Sequence, residues 1–318
     1  MATAFVTGGS GFIGNALIRR LVADGHTVSA LARSDVSARA VEDAGARAVR
    51  GELLEPESWT ASVDACDVVF HLAAETDVAA DPEQHQRVTV DGTRAALEGA
   101  RRLGAAHFVH CGSEAALLAG PPLIDVDETA PLRPDSPAAY SAAKAQSEQL
   151  VAAASDEQLA TVVIRPRFVW GPGSNLIDAI VRAARNGTFA WIEGSRFPTD
   201  VTYIDNVVEG LVLGWQRGRP GEAYFITDRE PVEMRSFLEK QFQLYKVDLR
   251  IPDLDLETAR ANVPPPLFWF FSQQCTLKTG KAVEELGYRP VITRDQALAT
   301  VAAAWLTFNP DCGKQETP

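Results

Sequence analysis

The sequence predicts an α/β fold built on a doubly wound parallel sheet, with a smaller, mainly helical C-terminal lobe. Three observations carry this. Apolar runs of strand length alternate with amphipathic helical segments through the first half of the 318 residues. The first run, Ala2 to Val6, leads into a glycine-rich turn, Thr7-Gly8-Gly9-Ser10-Gly11-Phe12-Ile13-Gly14, and an amphipathic segment from Phe12 to Ala23 leaves it. Past Arg165 the alternation breaks down into short helical segments separated by proline and glycine.

The glycine turn comes first in the chain and in the argument. Gly8, Gly11 and Gly14 are spaced G-x-x-G-x-x-G, between a strand and a helix. Glycines let a ligand approach the backbone closely, and a helix N-terminus offers free N–H groups at the positive end of its dipole. That arrangement suits a dinucleotide pyrophosphate. Gly25 then stops the helix, and Thr27 to Ala32 reads as the second strand. It ends in Arg33-Ser34, with no acid before Asp35. An acid at this strand end would take a ribose 2′-hydroxyl; a guanidinium suits a 2′-phosphate. Arg33 therefore points to NADP(H), with NAD(H) as the alternative if Asp35 turns inward instead.

Ala46 to Arg50 reads as a third strand and Cys66 to Leu72 as a fourth, continuously apolar at its centre as a buried parallel strand should be. After Leu72 come Ala73 and Ala74, small enough for a cofactor to pass. Gln84 to Leu103 reads as a long helix, and His107 to Cys111 as a fifth strand ending in Gly112-Ser113-Glu114. Ligands of such sheets sit beyond the C-terminal strand ends, so Gly8, Ala73 and Ser113 should converge. Pro121 to Pro137 reads as a loop over that edge.

Tyr140-Ser141-Ala142-Ala143-Lys144 opens an alanine-rich helix running to about Ala154. Residues four apart share a helix face, so Tyr140 and Lys144 point the same way. An ammonium beside a phenol favours phenolate and should lower the tyrosine pKa toward operating pH. With Ser113 opposite, the set suits alcohol–ketone interconversion. Thr161 to Ile164 is a sixth strand, Leu176 to Arg185 and Val207 to Gln216 are helices, and Ala223 to Ile226 is a late strand back in the main sheet. Pro264 to Phe271 is an aromatic run suited to core, lid or contact surface; Leu286 to Pro290 ends a helix, and Asp295 to Phe308 forms the last one. The polar tail after Asn309 is expected to fray.

Composition narrows the partners. The net charge of −12, from 30 basic and 42 acidic residues, opposes nucleic acid and anionic membrane surfaces. Four cysteines in no ligand-like spacing imply neither a metal site nor disulfides. No apolar run approaches the roughly 20 residues of a membrane span, and the N-terminus lacks the basic flank of a signal peptide. A cytoplasmic protein is expected.

These motifs together resemble the extended short-chain dehydrogenases/reductases, over nearly the full length. The resemblance rests on Thr7 to Gly14, His71-Leu72-Ala73-Ala74, Ser113, Tyr140 to Lys144, and Arg165-Pro166-Arg167-Phe168-Val169-Trp170-Gly171-Pro172-Gly173. Asp200 to Gly210 and Ala223 to Asp228 are phrases similar to the 3β-hydroxysteroid dehydrogenase-like branch. The resemblance implies a Rossmann-type domain of residues 1–164 plus about 200–228, and a substrate lobe of about 165–199 and 229–318. It implies Tyr140 as acid/base, Lys144 also on the nicotinamide ribose, and Ser113 on the substrate oxygen. Glu52 and Leu53 would lie by the adenine, and Pro166, Arg167 and Phe168 by the nicotinamide. Thr76, Glu114, Trp170 and Trp191 are candidate substrate contacts. A homodimer through the Gln84 and Tyr140 helices is the family expectation. Departures are Glu52 for the usual Asp, Thr89 for the usual Asn, Gly112 for the usual Ser, and Glu114 beside Ser113. The expected activity is NADP(H)-preferring interconversion of a ketone and a secondary alcohol on an apolar, steroid-like substrate. A nucleotide-sugar epimerase or dehydratase with tightly held NAD is the enzymatic alternative, and a non-catalytic NADPH sensor the alternative of another class.

Overall fold

The computed structural model describes residues 1–248 and 250–308, with side chains to 305. Cys312 and the tail after Asn309 lie outside the described residues. Seven parallel strands form the central sheet: β1 (Thr3–Thr7), β2 (Thr27–Ala32), β3 (Arg47–Arg50), β4 (Val68–His71), β5 (His107–Cys111), β6 (Ala160–Pro166) and β7 (Ala223–Ile226). Their order across the sheet is β7-β6-β5-β4-β1-β2-β3. The order reverses at β1, where successive crossovers run in opposite directions and leave a crevice at the strand ends.

Burial on both faces accounts for the apolar strands. On one face Phe70, Val109 and Ile164 pack with Leu17, Ile18 and Leu21 of α1 (Phe12–Ala23) and with Val207 and Leu211 of the helix Ile204–Arg217. On the other, Phe5, Val69 and Phe108 meet Trp59, Ala96 and Ala100. Trp59 stacks on Phe5 with ring centroids 4.9 Å apart. It lies so close to Gly99 that a Cβ there would come within 1.9 Å of the indole. The expected return of Ala223 to Ile226 to the main sheet is observed, beside β6, with Phe225 in register with Arg165.

The stretch expected as a loop over residues 121–137 contains a strand, Leu123–Val126. It pairs with Cys275–Leu277, which pairs in turn with Pro198–Thr199 and through it with Val232–Glu233. Its burial does not alternate cleanly, because only Leu123 and Val126 turn inward. This small sheet joins the main sheet's edge to the C-terminal lobe. The lobe has its own core, of Trp170, Trp191, Phe237, Phe242, Phe268 and Phe271 among others. The aromatic run becomes the helix Pro265–Ser272, with Phe268 and Phe271 turned into that core. Among the described residues no helix is long and apolar enough to cross a membrane, and no cluster of His, Cys, Asp and Glu could hold a metal ion.

Candidate active site

The first turn is built for close approach. Gly8 has φ +71°, and a Cβ on it would lie 2.6 Å from the Ala73 nitrogen; one on Gly14 would lie 2.2 Å from the Gly8 carbonyl oxygen. No other residue type fits either place without moving backbone. The helix N-cap, Gly11, brings no side chain to the first-turn N–H groups, so they remain free to meet an anion. The strand ends beneath are stiffened by a buried chain. Thr93 spends its proton on the Thr89 carbonyl, at 2.6 Å. His71 Nε2, 3.0 Å from Thr93 Oγ1, is therefore the donor there, and His71 Nδ1 accepts from Thr7 Oγ1 at 2.7 Å. Burial pulls the imidazole down to about 3, with Lys144 adding to it, so it stays neutral. Gly8, Ala73 and Ser113 end adjacent strands, as expected.

Arg33 and Ser34 lie exposed at the end of β2. Asp35, the residue that could have turned inward, instead pairs with Arg50 at the end of β3. Arg33 is left unpaired among the described residues. Glu52 is exposed and Leu53 half-buried against Gly92. The glycine cradle and the uncapped helix end fit a nicotinamide dinucleotide.

Tyr140 and Lys144 sit one turn apart on the helix Ala139–Ala153, facing Ser113. Two features differ from expectation. The phenol is raised above its ordinary pKa, not lowered: burial pushes it up and the Glu114 charge adds to that, while a hydrogen bond with Ser113 opposes. Lys144 Nζ donates to the Cys111 carbonyl at 3.3 Å. Burial also pulls the ammonium itself down, against the nearby Glu148 and Glu114. The second feature is Glu114. It is neither solvated nor open to a cleft but 5% exposed. Its Oε2 accepts from Ser113 Oγ at 2.8 Å and its Oε1 from Arg167 Nη1 at 2.5 Å.

Arg167 is thus turned to a carboxylate, and Pro166 and Phe168 are buried beside it. Phe168 has φ +39° and packs edge-on against Phe270, 4.8 Å between centroids. Trp170 and Trp191 are fully enclosed: Trp170 Nε1 donates to Asp228 Oδ2 at 3.0 Å, and Trp191 meets Phe189 edge-on, 5.1 Å between centroids. Both belong to the lobe's core and present no open wall, since their rings fill it. Thr76 is exposed on the segment after β4. Gly112 replaces the usual serine because a Cβ there would come 2.8 Å from Val163 Cγ1.

Two site residues escaped the sequence reading. Glu148, one turn beyond Lys144, forms a buried pair with Arg165, whose Nε donates to its Oε1 at 2.9 Å. The Tyr140, Lys144, Glu148 spacing of four was the available signal. His85 stands edge-on to Tyr140, 5.8 Å between rings, and a lone histidine in a polar segment gives no such signal.

The sheet and the glycine turn, with the similarities that follow, make the chain an oxidoreductase of the extended short-chain dehydrogenase/reductase type, acting on a CH–OH or ketone group. The chain belongs to the 3-beta hydroxysteroid dehydrogenase/isomerase family, whose model matches residues 5–252. It is 38% identical to a 4-hydroxy-2-methyl-3-oxo-4-farnesyl-3,4-dihydroquinoline-1-oxide ketoreductase of Stigmatella aurantiaca, over 94% of this chain and 96% of that one. It is 31% identical to a 2-alkyl-3-oxoalkanoate reductase of Stenotrophomonas maltophilia, over 94% of this chain and 98% of the relative. Among solved structures it resembles DesIV, a dTDP-glucose 4,6-dehydratase of Streptomyces venezuelae. There the TM-score is 0.79 with 23% identity, covering 97% of this chain and 98% of that one. That likeness is one of fold.

Proposed function

We propose that this protein is an NADP(H)-preferring reductase of a ketone on an apolar, steroid-like or long-chain substrate, with Tyr140 as the acid. One observation carries the reading: Tyr140, Ser113 and Lys144 meet at the strand ends beside a glycine cradle whose neighbouring guanidinium, Arg33, is free. The nicotinamide would supply a hydride to the carbonyl carbon. Gly8, Gly11, Phe12, Ile13 and Gly14 would hold the pyrophosphate, Arg33 and Ser34 the 2′-phosphate, and Lys144 the nicotinamide ribose. A phenol raised by burial keeps its proton at neutral pH, which suits giving it to a carbonyl oxygen as charge develops there. The apolar substrate draws support from the two relatives, whose names pair a ketone with a farnesyl or an alkyl chain. It also draws on the aromatic lobe formed by parts of residues 165–199 and 229–308.

The epimerase alternative needs cationic side chains for a sugar diphosphate. Of the four arginines that could serve, Arg165, Arg167 and Arg196 pair with Glu148, Glu114 and Glu233, and Arg182 lies exposed on the helix Asn175–Arg185. The test is an NADPH-oxidation screen. Apolar cyclic ketones and long-chain 3-oxo acids should turn over well ahead of UDP- and dTDP-sugars; the reverse order overturns the reading.

A further inference from the structure

A serine hydroxyl has one proton and two lone pairs. Ser113 spends its proton on Glu114 Oε2, at 2.8 Å. One lone pair accepts from the Ala115 N–H, at 3.2 Å. While Tyr140 keeps its proton, one lone pair, an acceptor, is all that Ser113 has left for a further partner; only an ionised Tyr140 would draw the serine proton away from Glu114. The polarity is held in place from behind. Glu114 is buried, and its other oxygen is taken by Arg167, which can only donate. Arg167 is itself fixed by Thr199, whose Oγ1 accepts from its Nε at 3.0 Å, and by the Phe270 ring, 5.1 Å beneath the guanidinium.

We propose that Glu114 is a positioning residue that makes Ser113 an acceptor, so that the site grips the alcohol better than the ketone. The proposal rests on the catalytic reading above. A ketone oxygen can only accept, and it finds one donor, the Tyr140 hydroxyl. When the hydride reaches the carbonyl carbon, the C=O π pair moves to oxygen and takes the Tyr140 proton, leaving phenolate. That proton stays in the bond to the phenolate until Tyr140 is reprotonated from water; the Tyr140 hydroxyl then donates to the alcohol oxygen, and the alcohol's own proton is free for the Ser113 lone pair. Arg167 acts one step further back, by holding the carboxylate.

The test is E114Q. Arg167 demands an acceptor, so it takes the amide oxygen and turns the amide NH2 toward Ser113. The serine then accepts from residue 114 and its own proton is released toward the substrate. Dissociation constants of 2-decalone and 2-decalol, measured on the NADP(H)-loaded protein, should shift in opposite senses. The ketone should tighten relative to the alcohol by about tenfold, the worth of one buried hydrogen bond gained and one lost. E114M/R167M, which replaces the buried pair by apolar groups and so avoids a stranded guanidinium, should give the same shift. In an S113A background the shift should vanish. A merely structural Glu114 would weaken both ligands alike, or shift them equally with and without Ser113, and either result overturns the proposal. A readout free of substrate is the Tyr140 phenol, followed by 13C NMR at Cζ. It should titrate lower in E114Q than in E114Q/S113A, because only the first has a serine proton released toward the phenolate, and equal values in the two count against the assignment. Persistent turnover in Y140F would instead overturn the catalytic reading, which separates the two failures.

Discussion

Tyr140 and Arg33 do opposite things with charge. Tyr140 is half-buried and packs on the apolar cluster that includes Leu117, Leu118 and Phe225, and burial together with Glu114 keeps it protonated. In the proposed reaction, removing its oxygen deletes the proton donor without touching the glycine cradle. Tyr140→Phe should therefore bind NADPH within about twofold of the parent while losing at least about 100-fold in kcat, the scale of one general acid. Fluorescence titration and turnover on the same preparation check both halves, and comparable turnover would remove Tyr140 from the chemistry. Arg33 is exposed and, among the described residues, unpaired, so its substitution disturbs none of their contacts. Arg33→Ala should weaken NADPH by about tenfold or more, as loss of a charge-assisted phosphate contact does, and leave NADH nearly unchanged. Equal weakening of both would show that Arg33 does not meet the 2′-phosphate.

Elements differ in how plainly the sequence announces them. Phe12–Ala23, Thr27–Ala32, His107–Cys111 and Ala223–Ile226 were legible to the residue, because each is bounded by glycine or polar punctuation and buries a continuous apolar face. The long helix after Pro82 was legible in extent only. Residues Gln86–Asp91 pass through a π-helical stretch, and hydrophobic spacing does not encode one wide turn. Leu123–Val126 was missed because a four-residue strand beside proline and aspartate has no period of its own; its partner lies about 150 residues away. At the site, Ser113, Tyr140 and Lys144 could be named from spacing, since a helix face and a strand end are local properties. The Glu114–Arg167 pair could not, because it joins two strand ends through a tertiary contact. The phrase Asp200 to Gly210 was legible as a family mark, and the structure supplies its physics. Asn206 donates to Asp228 at 2.7 Å and accepts from the Val291 N–H at 2.8 Å, knitting the helix Ile204–Arg217 to the chain after β7 and to the C-terminal segment.

Across the whole molecule, the seam between sheet and lobe runs through Asp200. Its N–H donates to the Cys275 carbonyl at 2.9 Å, and its Oδ2 accepts from the Leu277 N–H at 2.8 Å. It thereby clamps the Pro198–Thr199 strand to the strand that reaches Leu123–Val126. The clamp is 2% exposed. Burial raises its carboxyl to about 6, against the Leu277 amide and Arg167, which lower it, and with nearby Asp228, which raises it. The sign of the consequence follows from linkage. A carboxyl whose folded pKa lies above its unfolded value favours the protonated form in the fold. Its contribution is complete below the unfolded pKa, near 3.8, and is lost as pH rises through about 6. The difference of about two pKa units corresponds to roughly 3 kcal/mol. Asp200→Asn keeps an acceptor for the Leu277 amide and removes the titration. Urea unfolding of both proteins at about pH 4 and pH 7 isolates this one group, since all other titrations are shared. The parent should lose on the order of 2–3 kcal/mol relative to the variant across that interval. Curves that stay parallel would mean that Asp200 ionises in the fold as it does in the unfolded chain, and that the seam is held by its backbone bonds alone.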